Sequence, residues 1–286
     1  MQDRAAQEAV GERARPGVAR SPVRGQGSAA RAVKSLLAFG VFLLAIFLIW
    51  ELFATLGSFN RLLFPSIINI FSRLGRMIAS GELAIETVAT LSRMFLGYGV
   101  AIAVGVPLGL WMGRSRLAED LFGPLVNFLL PIPALALVPL FILWFGLTLQ
   151  AAILLISLTS ALPIIVNTWS GSKTLDPIFQ RVADSVGVRG ARFFMKVVLP
   201  SALPSIMIGL RQGLAMAWRA AIGAEFFAVA ANGLGTRMFE AKDYVQMDVI
   251  LSLLVVIMAV SIVLDKLIFA PLEARTIQRW GMDGNS

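Results

Sequence analysis

From Leu121 to Ser172 the chain runs for 52 residues without a charged side chain. A helix crosses the hydrocarbon core of a bilayer with about 20 apolar residues, so this stretch holds two crossings and the turn between them. Over the whole chain 57% of residues are hydrophobic and 15% charged, where a soluble domain carries about a quarter charged. The fold class that follows is an all-α polytopic membrane protein.

Two absences narrow the chemistry. The 286 residues include no Cys, which removes disulfides, thiolate zinc sites, Fe–S clusters and cysteine nucleophiles. They include no His, which removes the commonest acid–base catalyst and metal ligand. With no cluster of carboxylates on one helix face, a membrane enzyme is disfavoured, and neither metal nor cofactor is expected. The net charge of +8 in a soluble protein would point to nucleic acid. In a membrane chain it reports topology, because basic residues gather in the loops kept on the cytoplasmic side, and no nucleic-acid partner is expected.

Residues 1–34 carry Arg4, Arg13, Arg15, Arg20, Arg24, Arg31 and Lys34 among Gly, Pro, Ser and Ala. Without apolar periodicity they read as a disordered basic tail. A transmembrane domain is expected over 35–280, with 281–286 as a C-terminal tail. The run after Lys34 is too long for a signal peptide and reads as the first span, about 35–54. Residues 55–87 are mixed, and the spacing of Ile67, Ile70, Phe71 and Leu74 is helical. They fit either an amphipathic helix at the outer interface or a helix packed on the outer ends of the spans. Further spans are expected at about 88–113, 121–145, 149–170, 205–230 and 247–270, six in all. Pro131, Pro133 and Pro139 make 130–146 an improbable straight rod.

With the N-terminus inside, the tail, 114–120, 171–204 and the C-terminus share the cytoplasmic side and hold 17 Lys and Arg. The outer segments then hold 5, namely Arg61, Arg73, Arg76, Arg237 and Lys242. The positive-inside rule selects this orientation.

The segment 175–204, LDPIFQRVADSVGVRGARFFMKVVLPSALP, is the most informative loop. Asp176-Pro177 is a helix start, so a helix over about 177–186 would stop at Gly187. A second short helix, apolar at Phe193, Phe194, Val197 and Val198, would run into Leu199-Pro200. Two short helices about a Gly turn suit the docking of a soluble partner; an ordinary interhelical loop is the plainer alternative.

These residues resemble the cytoplasmic loop of the permease subunits of bacterial ABC importers: E-A-A, three residues, G, nine residues, I-x-L-P. Ala183 matches the second Ala, Gly187 the Gly, Val197 the Ile position and Leu199-Pro200 the ending. Arg181 stands where Glu is usual and Val182 where the first Ala is usual. That change bears on any salt bridge made through the Glu and not on the helix–Gly–helix shape. PIPALALVPLFILWFG at 131–146, GEL to LSR at 81–93 and Gly233-Leu234-Gly235 are similar to the nitrate, sulfonate and taurine branch. In the second of these, Glu86 stands where His is common and Thr90 where Ser is common.

The resemblance implies a type I importer permease with six transmembrane helices and a cytoplasmic coupling helix at 177–187, in the bacterial inner membrane. It implies two permease copies, two cytoplasmic ATP-binding subunits and a periplasmic binding protein that delivers a small oxyanion or organic sulfonate. Val182, Ala183, Asp184, Ser185, Gly187, Leu199 and Pro200 would meet the ATPase. The chain has no G-x-x-x-x-G-K-[ST] run, so ATP hydrolysis belongs to the partner.

Arg211, Trp218, Arg219 and Glu225 share one side of the fifth span, within about 120° at about 100° per residue. Gly209 and Gly213, in G-x-x-x-G spacing, Met216, Ala220 and Phe227 take the other. Charges in a span face a cavity or a partner, so the polar side is a candidate translocation pathway. Local pairing of Arg219 with Glu225, or snorkelling of the two near the outer interface, is the plainer reading, and Arg93 reads as an anchor or structural pair. A secondary transporter with its own coupling-ion site is the alternative function; the lack of an inverted repeat argues against it.

Overall fold

A computed structural model describes residues 27–56, 62–175, 177–227 and 232–269, and these contain helices and no strand. Chain contacts divide the protein at Leu52–Phe53 into two compact units. The sites described below all lie in the second.

Helix α1 is Gly27–Leu56, with Leu37–Thr55 apolar enough to cross a membrane. It begins ahead of the expected position 35, because Ala29, Ala30, Arg31 and Ala32 are strong helix formers that hydropathy alone passes over. The rest of the expected disordered tail, 1–26, and the C-terminal tail 281–286 lie outside the described residues.

Helix α2, Ile67–Ala79, is started by Ser66, whose side chain accepts the Asn69 N–H at 3.3 Å. It packs Ile70 and Met77 inward. Helix α3, Glu82–Arg114, starts six residues earlier than the hydrophobic run suggested, behind Gly81 at φ +76°. The span expected at about 121–145 is broken, as its prolines suggest: helices α4, Arg116–Leu129, and α5, Ala134–Phe145, meet at 104°. Pro131 and Pro133 explain the break: each removes an N–H and disfavours helical backbone just before it.

Helix α6, Leu149–Lys173, is capped by Thr148, which accepts the Ala151 N–H at 3.2 Å. Helix α7 is Pro177–Ser185. The expected second short helix is not separate. Gly190–Phe226 forms one 37-residue helix, α8, with a π turn at Phe194–Val198. There Leu199 N–H bonds the Phe194 carbonyl five residues back, and the wider turn accommodates Pro200, which would crowd an α turn. Helix α9 is Leu234–Asp243, and α10 is Met247–Leu264, extended by a π turn at Asp265–Phe269.

Helices α3, α6 and α8 form the centre. Small residues every four along α3 (Gly97, Ala101, Gly105, Gly109) let it lie directly on α6. A Cβ at Gly97 would stand 2.6 Å from Ile156, and one at Gly109 would stand 2.8 Å from the Ile165 carbonyl. Gly209 and Gly213 press α8 onto α6 at Ile164, as the G-x-x-x-G spacing predicts. Met216 and Phe227, expected on that packing side, are exposed instead.

Candidate functional site

The loop after α6 carries the first candidate surface. Helix α7 closes with Gly187 at φ +72°. Gly187 N–H bonds the Asp184 carbonyl at 3.2 Å and Val188 N–H the Ala183 carbonyl at 2.8 Å. This pair of bonds ends a helix through a left-handed residue, which glycine adopts without a Cβ penalty. The turn fixes which side of α7 points outward. Ala183 is buried, while Phe179, Val182 and Val186 are exposed at 52%, 56% and 68%. Arg181, Asp184 and Ser185 are exposed beside them, with Asp184 3.7 Å from Arg189. These three large apolar side chains, with exposed Ile178 next to Phe179, thus stand outward among charges. Leu199 and Pro200 lie apart from this surface: Leu199 packs with Leu110, Ala202 and Ile206, where α8 meets α3. Arg114 stacks over the Phe193 ring at 5.7 Å, closing the same end.

A buried polar network lies at the opposite ends of α3 and α8. Glu225, the penultimate residue of α8, is fully buried and ion-paired with Arg93 of α3. Its other oxygen accepts the Thr90 hydroxyl at 2.8 Å and the Gly235 N–H at 3.1 Å. Thr90 in turn accepts the Leu234 N–H at 2.9 Å, and Glu86 accepts the Gly233 N–H. Three successive N–H groups at the head of α9 are therefore held by α3 and α8. Gly233 sits at φ +143°, and a Cβ there would fall into the Glu225 carboxylate. Beside the network Arg237 donates to Glu82 at 2.7 Å and to Glu240 at 3.3 Å. Burial alone would lower the Arg237 pKa, but the two carboxylates outweigh it and hold the pKa above its usual value.

The expected polar side of the fifth span divides. Glu225 pairs with Arg93, not with Arg219. Arg211 makes a two-bond contact with Asp265 of α10, at 3.0 and 2.9 Å. With buried Trp218, Ser261 and Lys266 it borders a cavity of about 330 Å³. Arg219 is exposed and makes no ion pair among the described residues. The three charges share a helix side but not an environment, because α3 meets α8 at one end and α10 meets it further down. Thr90, Glu86, Gly233 and Gly235 were visible as separate motifs; nothing in their spacing says that they meet at Glu225.

The sequence pattern of a family described as the binding-protein-dependent transport system inner membrane component matches residues 105–276. The taurine transport system permease protein TauC of Escherichia coli is 34% identical over 191 residues, covering 67% of this chain and 67% of that protein. The bicarbonate transport system permease protein CmpB of Synechococcus elongatus is 31% identical over 251 residues, covering 83% and 86%. Among solved structures, an inward-facing conformation of the MetNI methionine ABC transporter aligns with TM-score 0.50 at 20% identity. That alignment covers 63% of this chain and 92% of the other, and shows a shared fold.

Proposed function

The chain belongs to the family of binding-protein-dependent transport system inner membrane components, and from that membership we propose how its surfaces are used. It is a multi-pass permease subunit of an ABC importer, and its work is transport rather than catalysis. This sets aside the secondary transporter with its own coupling-ion site.

In our reading the α7 end is cytoplasmic, with both chain termini on that side of the inner membrane, as the 17 to 5 partition of basic residues favours. Two permease copies enclose the route, two ATP-binding subunits dock below, and a periplasmic binding protein delivers substrate above. Helix α7 is the docking element. The observation that carries this is the outward row Phe179, Val182 and Val186 on a helix flanked by Arg181, Asp184 and Arg189. Such a row in water is left for a partner's groove, and the coupling residues that enter it are Val182, Asp184, Ser185 and the Gly187 turn. The cargo is a small oxyanion or organic sulfonate, in keeping with taurine and bicarbonate in the relatives' names. Arg219, exposed on α8, is the cation that the route presents to such an anion.

Gly187→Val tests the docking role. A Cβ at Gly187 meets nothing within 4 Å, so the substitution acts on the backbone alone, with a strain of about 1–3 kcal/mol. The permease should reach the membrane at its usual level while ATPase association weakens roughly tenfold or more and uptake falls with it. Normal uptake with normal association would refute the assignment.

A further inference from the structure

Helix α2 divides lengthwise into three sectors. One packs: Ile70 and Met77 are buried and Leu74 half-buried against the core, and Ser252 of α10 donates to the Ile70 carbonyl at 2.9 Å. The second is apolar yet uncovered, with Ile68 at 74%, Phe71 at 54% and Ile78 at 60% exposure. The third is polar, with Asn69, Ser72, Arg73 and Arg76. At about 100° per residue, Phe71 and Ile78 stand within roughly 20° of each other and roughly 150° from Arg76. Neither arginine has an ion-pair partner among the described residues, and Arg73 Nε is buried without a hydrogen bond there. A water-facing helix would not turn two bulky apolar side chains directly away from its cations, and a fully packed one would not expose them.

We propose that α2 lies in the lipid–water interface, with Ile68, Phe71 and Ile78 among acyl chains and Arg73 and Arg76 against lipid phosphates. The occupant is lipid because the apolar sector adjoins surface of the same kind. Helix α3 starts three residues after α2 ends and turns Ile85 and Val88 outward at 62% and 66% exposure, in a segment long enough to cross the bilayer. The exposed Arg76 guanidinium, with no ion pair among the described residues, complements phosphate, with half-buried Arg73 beside it. Through the Ser252 bond and the Ser80-Gly81 turn, a lipid-seated α2 would set the depth of α10 and of the Glu225 network together.

The absence of cysteine makes the test direct. Single cysteines at Phe71, Ile78, Ser72 and Arg76, spin-labelled on the full chain in phosphatidylethanolamine–phosphatidylglycerol vesicles, report depth by power saturation. Labels at 71 and 78 should collide with oxygen far more than with a water-soluble nickel chelate, and labels at 72 and 76 the reverse. Nickel access at 71 and 78 would place that sector in water. Protection there from both reagents would place a second copy or another protein against it. Either result overturns the proposal, and neither depends on ATPase docking.

Discussion

The Arg93–Glu225 pair offers the sharpest energetic test of this architecture. The Glu225 side chain is 0% exposed and that of Arg93 11% exposed. Arg93→Met leaves the carboxylate with the Thr90 hydroxyl and the Gly235 N–H but with no cation, and an ion stranded in this way costs about 3–5 kcal/mol. Glu225→Gln keeps the shape and both remaining hydrogen bonds while stranding the guanidinium, at a similar cost. The double variant strands no charge, since a neutral amide then faces a neutral thioether, and removing both charges of a buried pair costs far less than removing one. A coupling energy of at least about 2 kcal/mol is therefore expected. At roughly 2–4 °C per kcal/mol, each single variant should melt about 6–20 °C lower in detergent, and the double variant should melt above either single. Thermal melts read by circular dichroism and by the surviving monodisperse fraction on gel filtration would measure it. A double variant whose loss equals the sum of the singles would show that the pair contributes no coupling, and the reasoning would fail.

Two further outcomes follow from other sites. Val245 ends α9 at φ +55°, with its N–H on the Lys242 carbonyl and the Gln246 N–H on the Ala241 carbonyl. A β-branched residue there forfeits about 1–2 kcal/mol, so Val245→Gly should raise the melting temperature by roughly 2–8 °C; a lower one would mean that the Val side chain makes a contact worth more than the strain. If Arg219 lines the route, Arg219→Ala should cut uptake of an anionic substrate roughly tenfold beyond any loss of protein, with Arg219→Lys keeping part of it. Uptake that tracks protein level alone would make the residue structural.

The spans were legible because lipid demands long apolar helices, and the α7 turn was legible because Asp176-Pro177 and Gly187 are local punctuation. What escaped was set by contacts between distant residues. Arg219 and Glu225 share one side of a helical wheel, yet they stand at its two edges and about 9 Å apart along the axis, and Arg93, more than a hundred positions away in sequence, takes the carboxylate instead. The prolines at 131 and 133 announced a disturbance but not its angle. Pro200 read as the end of a short helix, whereas a single wide turn carries the helix past it. The start of α3 was placed too late because Glu82 and Glu86 look like loop residues until their partners on α9 are known.

That continuity gives α8 a mechanical character. At 37 residues it is about 55 Å long, against a hydrocarbon core of about 30 Å. One end begins three residues after the Gly187 turn, and the other holds Glu225 in its cage of donors. A stiff rod of that length behaves as a lever arm. A tilt of about 5° pivoting at one end swings the other through roughly 5 Å, close to the pitch of one helical turn. If α7 docks a partner as proposed, motion imposed beside the Gly187 turn would need no relay of intermediate residues to reach the Glu225 end of α8.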